Sequence, residues 1–389
     1  MYTRATKLLG IDFPIFAFTH CRDVAAAVTN AGGLGVLGAV AHTPEQLDID
    51  LKWIAEQTKG RPFGVDLLIP RKFVGAEEGG FDPDSLRAMV PDEHRQWIEQ
   101  LLDRYGVPEL PAAESEGERA RRGMAGLRID AKSMAPLIDV AFAHKVALIA
   151  SALGTPPAWL VDKAHAHGIP VAALAGRIDH AVAHKNAGVD LVIAQGTEGG
   201  GHTGEIATMV LVPQVVDAVA PTPVLAAGGI ATGRQMAAAL ALGAEGVWCG
   251  SVWLTTHEAE TSPVIREKFL AATSADTRRS RSLTGKPARM LRSAWTEAWD
   301  EPNAPSPLGM PLQSMLIGES QRRINRVVHD ASSPAHPLVT YFVGQVVGQM
   351  NVPMSTRDVV REMVEQCLDA MERMNRVLLE DAVETQEPR

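Results

Sequence analysis

Residues 190–251 read DLVIAQGTEGGGHTGEIATMVLVPQVVDAVAPTPVLAAGGIATGRQMAAALALGAEGVWCGS. Three short runs in this stretch, DLVIAQG, PVLAAGG and GVWCGS, are apolar at consecutive positions, which is typical of parallel strands buried on both faces. The segment GRQMAAALALG between the last two runs carries an alanine-rich helical pattern that Gly243 can end. The stretch therefore predicts parallel strands that alternate with helices.

Five earlier runs of the same kind bring the number of predicted strands to eight. They are FPIFAF (13–18), LGVLG (34–38), FGVDLLI (63–69), VALIAS (146–151) and PVAALAG (170–176). Most of these runs are followed by a segment with a helical pattern, for example AWLVDKAHAHG. Eight strand–helix units in one chain predict a (β/α)8 TIM barrel rather than an open sheet.

Two stretches fall outside this repeat. Residues 75–132 follow the third strand and are charged and rich in Gly, Pro and Glu, which predicts an insertion with a helix around 91–105. The barrel itself is expected over residues 1–260, and a helical substrate or lid domain over 261–350. Residues 351–389 carry an amphipathic pattern that predicts a C-terminal helix packing back on the body.

Composition excludes several classes of protein. The chain has 389 residues, 46% hydrophobic and 21% charged, which is ordinary for a globular protein. Lys and Arg number 37 against 46 Asp and Glu, so the net charge is −9, and this argues against nucleic acid as a partner. The three cysteines lie far apart, so no disulfide scaffold or Cys-x-x-Cys pair is expected. No signal-peptide or membrane-helix pattern is visible, so we expect a soluble, cytoplasmic protein.

Glycine clusters follow three successive predicted strands. The sixth strand is followed by GTEGGGHTGE (196–205), the seventh by AAGGIATG (226–233), and the eighth ends in Cys249-Gly250-Ser251. In barrels the active site lies at the carboxyl ends of the strands, and glycines let backbone N–H groups approach an anion. The alternative is that these glycines only form tight turns. Three clusters at neighbouring strand ends favour a phosphate site.

His202 is the most specific candidate for a catalytic residue. It follows Gly199-Gly200-Gly201, so its loop can approach a flat ligand closely. A histidine there can act as general base, or as a hydrogen-bond donor to a developing anion. The alternative is a structural histidine bonded to a backbone carbonyl. The glycine run and the strand-end position favour the functional interpretation.

The run from Ala194 to Ser251 resembles the signature region of the nitronate monooxygenase family, once called 2-nitropropane dioxygenases. It is equally similar to the FMN-dependent enoyl-acyl-carrier-protein reductases of the same superfamily. The resemblance extends to FPIFAF and NAGGLGVLGA near the N-terminus, and more weakly to TGKPARMLR, PLGMPLQ and GQVVGQ. It therefore covers most of the chain except the insertion. GGGH and AAGGI together are specific for the superfamily but do not separate its members.

The resemblance implies a barrel that binds FMN without a covalent bond, with His202 matching the catalytic histidine. It implies these cofactor contacts: Ala17 and Phe18 through their backbone at the isoalloxazine, Asp66, Ser151 and Gln195 at the flavin or ribityl chain, Gly200 and Gly201 beside the flavin, and Gly228, Gly229, Gly250 and Ser251 at the phosphate. The segment after the barrel matches a helical domain that covers the flavin and shapes the substrate pocket.

The sequence departs from the family pattern in three places. Strand one commonly ends in Ala-Pro-Met, whereas this chain continues Ala17-Phe18-Thr19-His20. Strand three often carries Asn or Gln where this chain has Asp66. Strand eight usually ends Gly-Thr-Arg-Phe, and here it reads Gly250-Ser251-Val252-Trp253. A negative Asp66 near the flavin would change substrate fit and flavin potential, so these departures concern the substrate more than the cofactor.

Other polar side chains carry weaker signals. His20 and Cys21 lie beside the predicted flavin face and could touch substrate, although a buried polar cap is the favoured interpretation. His180 and His184 stand four residues apart on a helix but have no third ligand, so no metal site is predicted. The arginine run 278–281 is favoured as a surface patch. It could instead meet a phosphate on an acyl carrier, CoA or a pyridine nucleotide.

Three functions are open at this stage. The first is an FMN-dependent nitronate monooxygenase that oxidises alkyl nitronates or nitroalkanes with O₂ to a carbonyl compound and nitrite. The second is an NAD(P)H-dependent FMN reductase that acts on an enoyl thioester or a quinone. The third is a flavin-binding protein without turnover. We expect a small-molecule substrate with O₂ or NAD(P)H, no nucleic acid or membrane partner, and either a monomer or a homodimer.

Overall fold

Eight parallel strands close into a barrel in the computed structural model, which describes residues 1–68, 83–111, 131–329 and 332–384. The strands are β1 (Ile15–Thr19), β2 (Leu34–Gly38), β3 (Gly64–Leu68), β4 (Leu148–Ala152), β5 (Val171–Ala175), β6 (Leu191–Gln195), β8 (Val224–Ala227) and β9 (Gly246–Cys249). Each pairs with the next around the ring, and β9 pairs with β1 to close it. The predicted TIM barrel is confirmed.

Helices form the outer layer and the additions. They are α1 (Arg4–Leu9), α2 (Arg22–Asn30), α3 (Pro44–Thr58), α4 (Pro83–Ala88), α5 (Asp92–Arg104), α6 (Ala131–Ala143), α7 (Ala158–Ala166), α8 (Ile178–Asn186), α9 (Thr208–Val219), α10 (Gly233–Ala241), α11 (Pro263–Ala271), α12 (Ala294–Ala298), α13 (Leu312–Val327) and α14 (Thr356–Glu384). Capping boxes begin four of them, α1, α3, α10 and α12; at α3 and α10, Thr43 and Thr232 each exchange hydrogen bonds with a glutamine three residues further on.

Apolar side chains fill the barrel interior. They are Phe16, Leu34, Val36, Leu148, Ala150, Ala172, Leu191, Ile193, Leu225, Ala227 and Trp248. Towards the carboxyl ends of the strands, the Trp248 ring stacks with Phe18 at a centroid distance of 6.2 Å. Successive strand residues point to opposite faces, so a residue two positions from one of these side chains on the same strand also faces the barrel axis. Within the barrel, this packed layer leaves room for a ligand on its carboxyl side, at the mouth formed by the carboxyl ends of the strands.

A small antiparallel sheet stands beside the mouth. It consists of β10 (Thr277–Ser280), β11 (Ala288–Leu291) and β7 (Gly201–His202), in the order β10-β11-β7. The segment after the barrel was predicted to be helical, and it contains this sheet as well as helices α11 to α13. Strands of two and four residues are too short to show a period-two pattern, which is why the sequence did not reveal them.

Helix α14 packs across α10. A Cβ on Gly233 would lie 2.1 Å from the Met363 carbonyl oxygen, so the two helices touch backbone to backbone. Val360, Met363 and Cys367 of α14 are buried in this contact region. The helix covers the range in which the sequence predicted one. The domain boundaries at residues 260 and 350 stay predictions.

Part of the predicted insertion packs against the segment that follows the barrel. Trp97 of α5 lies 4.5 Å from Trp299 between ring centroids, and Arg323 of α13 forms an ion pair with Glu99 at 2.7 Å. Helix α5 matches the helix predicted around residues 91–105. Residues 75–82 and 112–130 of the insertion lie outside the described residues. In the described part of the chain, no helix is long and apolar enough to cross a membrane.

Candidate active site

The glycine wall of the mouth consists of residues 195–202, 228–229 and 250–251, at the ends of β6, β8 and β9. Gly228 and Gly229 have φ angles of +93° and +71°, a left-handed region that favours glycine. A Cβ on Gly228 would lie 2.7 Å from the Gly196 carbonyl oxygen, and one on Gly229 would lie 2.9 Å from Glu198 Cβ. The turn after β8 therefore requires glycine.

Other positions in the glycine wall are open. A Cβ on Gly201 would meet nothing within 4 Å, and one on Gly250 would meet only Phe18, at 3.8 Å. Gln195 lies on the face of β6 that points to the barrel axis, and its Nε2 is 3.1 Å from the place of a Gly199 Cβ. Small residues thus leave space in front of the wall, bordered by one amide side chain.

The Glu198 side chain bonds to Thr208 and stabilises the loop after β6; it does not orient His202. Its carboxylate accepts a hydrogen bond from the Thr208 backbone N–H at 3.0 Å, at the first residue of α9. The Thr208 hydroxyl lies 2.9 Å from Glu198 Oε2 and 2.8 Å from the Gly228 carbonyl oxygen. A carboxylate at a helix N-terminus is favourable because it meets unpaired N–H groups there. The contact ties the GGGH loop to the turn after β8.

The segment GQVVGQ holds the glycine wall from outside. The Gly344 N–H donates to Ser251 Oγ at 2.8 Å, and the Gln345 N–H donates to the Glu198 carbonyl oxygen at 2.9 Å. A Cβ on Gly200 would lie 2.8 Å from the Gly344 nitrogen, so the two backbones pack directly. This contact joins residues 144 positions apart, and the sequence showed it only as a weak similarity in GQVVGQ.

His202 lies on β7, opposite Ala288 of β11. Its Nδ1 is 3.2 Å from the Pro287 carbonyl oxygen, and since a carbonyl only accepts, Nδ1 carries the proton and Nε2 keeps its lone pair. Burial of the ring lowers the pKa of His202, and nearby Lys286 adds to this, while the bond to Pro287 acts in the opposite direction. A neutral imidazole with one acceptor nitrogen can take up a proton from a ligand.

Cationic side chains surround the His202 loop. Arg289 is only 9% exposed and donates from Nε to the Thr197 carbonyl oxygen at 2.8 Å. Arg279 donates to the Thr203 carbonyl oxygen at 3.2 Å, and its Nη1 lies 3.7 Å from exposed Glu205. Arg278 pairs with Asp300, and Arg281 donates to the Gly285 carbonyl oxygen. The arginine run is therefore engaged within the protein, and the positive charge it brings lies beside the glycine wall.

The polar wall of the mouth is formed by residues 18–21, 38–39 and 66, at the ends of β1, β2 and β3. Asp66 lies on the axial face of β3, the face on which a Gly64 Cβ would meet Val36 of the interior. Asp66 is 5% exposed, and its Oδ2 has no hydrogen-bond partner among the described residues. Burial raises the pKa of Asp66 to about 7. This carboxyl group needs either a proton or a ligand group.

His20 stands at the edge of the polar wall. Its Nδ1 lies 3.0 Å from the Gly38 carbonyl oxygen, so Nδ1 carries the proton and Nε2 is the acceptor. The ring is exposed and meets Phe18 edge-on at a centroid distance of 5.1 Å. A Cβ on Gly38 would lie 2.7 Å from the ring, so glycine is what lets His20 settle there. Sequence reasoning favoured a buried cap, whereas the ring is accessible.

Cys21 is the buried neighbour of His20. Its thiol donates to the Glu258 carbonyl oxygen at 3.2 Å, and burial raises the pKa of this thiol. A raised pKa keeps the sulfur protonated, and a protonated thiol is a poor nucleophile. Cys21 therefore behaves as a structural residue.

Two of the predicted cofactor contacts point away from the axis. Ser151 lies opposite Leu67 and Ala173, which belong to the layer between strands and helices, so its side chain is on the outer face of β4. It is fully buried, and its Oγ has no partner among the described residues. Ala17 also faces outward, into the cluster shared with α2. Only the backbone of these two residues borders the mouth.

A closed parallel barrel whose glycine turns and tautomer-fixed histidine stand at the carboxyl ends of the strands is the arrangement of a (β/α)8-barrel enzyme. The family model described as nitronate monooxygenase matches residues 3–366. The chain belongs to the nitronate monooxygenase family, and it is an oxidoreductase.

Two curated relatives cover almost the whole chain. Rv1533 of Mycobacterium tuberculosis, a provisionally assigned monooxygenase, is 62% identical over 372 residues, which is 95% of this chain and 98% of the relative. A Staphylococcus saprophyticus protein provisionally assigned as a nitronate monooxygenase is 28% identical over 387 residues, covering 95% of this chain and 99% of the relative.

Two of the solved structures similar to this chain carry the names of different enzymes. The nitroalkane oxidase from Streptomyces ansochromogenes is 26% identical, with a TM-score of 0.76 over 95% of this chain and 99% of its own. FabK from Thermotoga maritima is also 26% identical, with a TM-score of 0.66 over 96% of this chain and 99% of its own. The resemblance to both groups matches the pair of families that the sequence suggested.

Proposed function

We propose that the chain is an FMN-dependent nitronate monooxygenase that oxidises alkyl nitronates and nitroalkanes with O₂ to carbonyl compounds and nitrite. The observation that carries this proposal is His202, whose Nδ1 is committed to the Pro287 carbonyl oxygen and whose Nε2 is left as a base at the glycine wall. Similarity to a nitroalkane oxidase of known structure supports it. The class of substrate is a small nitro compound.

FMN fits the residues of the mouth. Turns that accept only glycine at Gly228 and Gly229, with open space at Gly250, support a phosphate held by backbone N–H groups, with Ser251 beside it. Gly200, Gly201, Gln195 and the backbone of Ala17 and Phe18 would border the ring system. The orphaned carboxyl group of Asp66 supports a further contact on the other side. FMN bound there would supply the redox chemistry, taking electrons from substrate and passing them to O₂.

The protein side chains would prepare the substrate for this chemistry. His202 Nε2 would take the α-proton of a neutral nitroalkane, and the electron pair of the C–H bond would form the C=N bond of the nitronate. The imidazolium would then donate a hydrogen bond to a nitronate oxygen, and Lys286 would add favourable charge. The segment 261–350, proposed as the lid domain, would limit access of water.

Anaerobic reduction of the bound flavin tests this function. The purified holoenzyme is mixed with an alkyl nitronate or with NAD(P)H, and the flavin absorbance is followed without oxygen. Bleaching by the nitronate alone, followed by nitrite release when O₂ is admitted, is the expected result. A protein that binds flavin and is not reduced by any nitronate would contradict the proposal.

A second candidate is an NAD(P)H-dependent FMN reductase that acts on an enoyl thioester or a quinone. Similarity to FabK over nearly the whole chain favours it. The positive charge of Arg279 and Arg289 near the mouth suits a ligand that carries phosphate. Bleaching by NAD(P)H alone in the same experiment would select this candidate.

A further inference from the structure

Asp66 is a buried carboxyl group with no counterion among the described residues. Its neighbours across the strand ladders are Gly38 on β2 and Ala150 on β4, and neither carries a charge. The axial side chains on the two neighbouring strands are apolar, namely Val36 on β2 and Leu148 and Ala150 on β4. Among the described residues, the titratable side chains beyond the adjoining strand ends are His20, which bonds the Gly38 carbonyl oxygen, the buried thiol of Cys21, and His42.

A bound flavin would remove the remaining water from this carboxyl group. In the free protein Asp66 is only 5% exposed, and its Oδ2 has no hydrogen-bond partner among the described residues. Burying an ionised carboxylate without a partner is costly, and the group takes a proton instead. The phosphate of FMN adds negative charge to the mouth, which also disfavours a second anion nearby.

We propose that Asp66 is protonated when the flavin is bound and donates a hydrogen bond from its carboxyl group to an acceptor atom of the flavin. The inference rests on the proposed cofactor site and deepens it. A protonated Asp66 would take the role of the Asn or Gln that the family pattern often has at this position, since a neutral carboxylic acid and an amide can both donate a hydrogen bond. The expectation of a negative Asp66 near the flavin, taken from the sequence, is replaced.

Proton uptake on binding is the consequence to measure. Burial places the pKa of Asp66 at about 7 in the free protein, and the proposal places it higher in the complex. Between those two values, binding takes up one proton, so affinity falls about tenfold for each pH unit above 7. Below pH 7 the group is protonated in both states, and it contributes no pH dependence.

The experiment titrates flavin-free protein with riboflavin and with FMN between about pH 6 and pH 9, following flavin fluorescence. Riboflavin is the decisive probe because it lacks the phosphate, whose second pKa of about 6 would complicate the curve for FMN. Calorimetry in two buffers of different ionisation enthalpy counts the protons taken up. We expect about one proton per riboflavin at pH 8, and a tenfold weakening for each pH unit.

Two variants separate Asp66 from its titratable neighbour. Asp66→Asn keeps the shape and the donor but does not titrate, so its affinity should be independent of pH and at least as high as that of the natural protein at pH 8. His20→Gln removes a titratable group beside Gly38, the β2 neighbour of Asp66, and should keep the full pH dependence. Three results would each overturn the proposal. The riboflavin affinity of the natural protein could be independent of pH, it could rise with pH, or the Asp66→Asn variant could show the same dependence of affinity on pH as the natural protein.

The outcome is distinct from a failure of the proposed cofactor. If no variant binds FMN or riboflavin at any pH, the flavin site and this inference fall together. If the flavin binds tightly but without proton uptake, the cofactor proposal stands and only the role of Asp66 is refuted.

Discussion

In the glycine wall, the side chains of Glu198 and Ser251 are paired within the protein and His202 offers one free nitrogen, whereas the polar wall keeps an accessible histidine and, among the described residues, an orphaned carboxyl oxygen. Glu198, Thr208 and Ser251 each have partners that join the loops after β6, β8 and β9 to the segment around Gly344. Asp66 has an unpaired oxygen, and His20 uses only one ring nitrogen in contacts with the described residues. The first wall is shaped by backbone packing, and the second by the chemistry of individual side chains.

This difference has a physical origin. Where backbone meets backbone at less than 3 Å from a would-be Cβ, as at Gly200 and Gly228, substitution is blocked by sterics. Where side chains face an open mouth, substitution changes chemistry without disturbing the fold. The departures from the family pattern at residues 18–20 and 66 fall in the polar wall, although one more follows β9. The glycine wall therefore suits a cofactor site that family members would share. The polar wall suits changes that alter hydrogen bonding to that cofactor or the choice of substrate.

The largest effect is expected for His202→Gln. Loss of the Nε2 base should lower the rate with a neutral nitroalkane by about 10²–10⁴-fold, the usual contribution of general base catalysis. FMN content should stay unchanged, because in the proposed site the backbone of the glycine wall would hold the cofactor. Steady-state rates with nitroalkane and preformed nitronate are compared, and the nitronate should be affected less. Loss of FMN in a folded variant would show that His202 is part of the cofactor site instead.

Gly229→Val should reduce FMN affinity. The residue has φ of +71°, and its new Cβ would lie 2.9 Å from Glu198 Cβ, so the turn after β8 must shift. We expect Kd to rise at least about tenfold, since a valine at positive φ is strained by more than about 1 kcal/mol. Fluorescence titration measures Kd, and circular dichroism checks the fold. Unchanged affinity would refute the phosphate assignment.

His20→Gln tests whether the polar wall contacts substrate. Its Nε2 is accessible and can accept a hydrogen bond, so we expect a KM increase of about threefold to tenfold, the value of one hydrogen bond of about 1 kcal/mol. His167→Gln is a matched control. His167 also bonds a backbone carbonyl through Nδ1, but it lies at the C-terminal end of α7, at the opposite end of the barrel. Equal effects of the two changes would remove His20 from the site.

Ser151→Ala should have the smallest effect. The hydroxyl is buried on the outer face of β4 without a partner among the described residues, so its removal costs no hydrogen bond. FMN affinity should stay within about twofold, and the melting temperature should stay equal or rise slightly. A clear loss of FMN affinity would instead place Ser151 at the cofactor, as the resemblance implied.

The barrel could be predicted because its signal is local and repeated. Each predicted strand is an apolar run of a few residues, and each of the eight barrel strands coincides with one of these runs, although β1 and β4 extend one residue beyond theirs. His202 and the glycine turns could be predicted as candidates because the carboxyl ends of parallel strands share one mouth. The β7-β10-β11 sheet could not, since its pairing joins His202 to Ala288 across more than 80 residues and its strands are very short.

The amino-acid sequence was sufficient for the fold class, the family and the set of glycine turns, because these depend on periodicity and on residues with special backbone freedom. Tertiary structure alone decided which atoms are available for chemistry. Only the fold turned Ser151 outward, committed Glu198 to the start of α9, fixed the proton of His202 on Nδ1 and left Asp66 Oδ2 without a partner among the described residues. Burial and hydrogen bonding set these properties, and both arise from contacts between residues far apart in the chain.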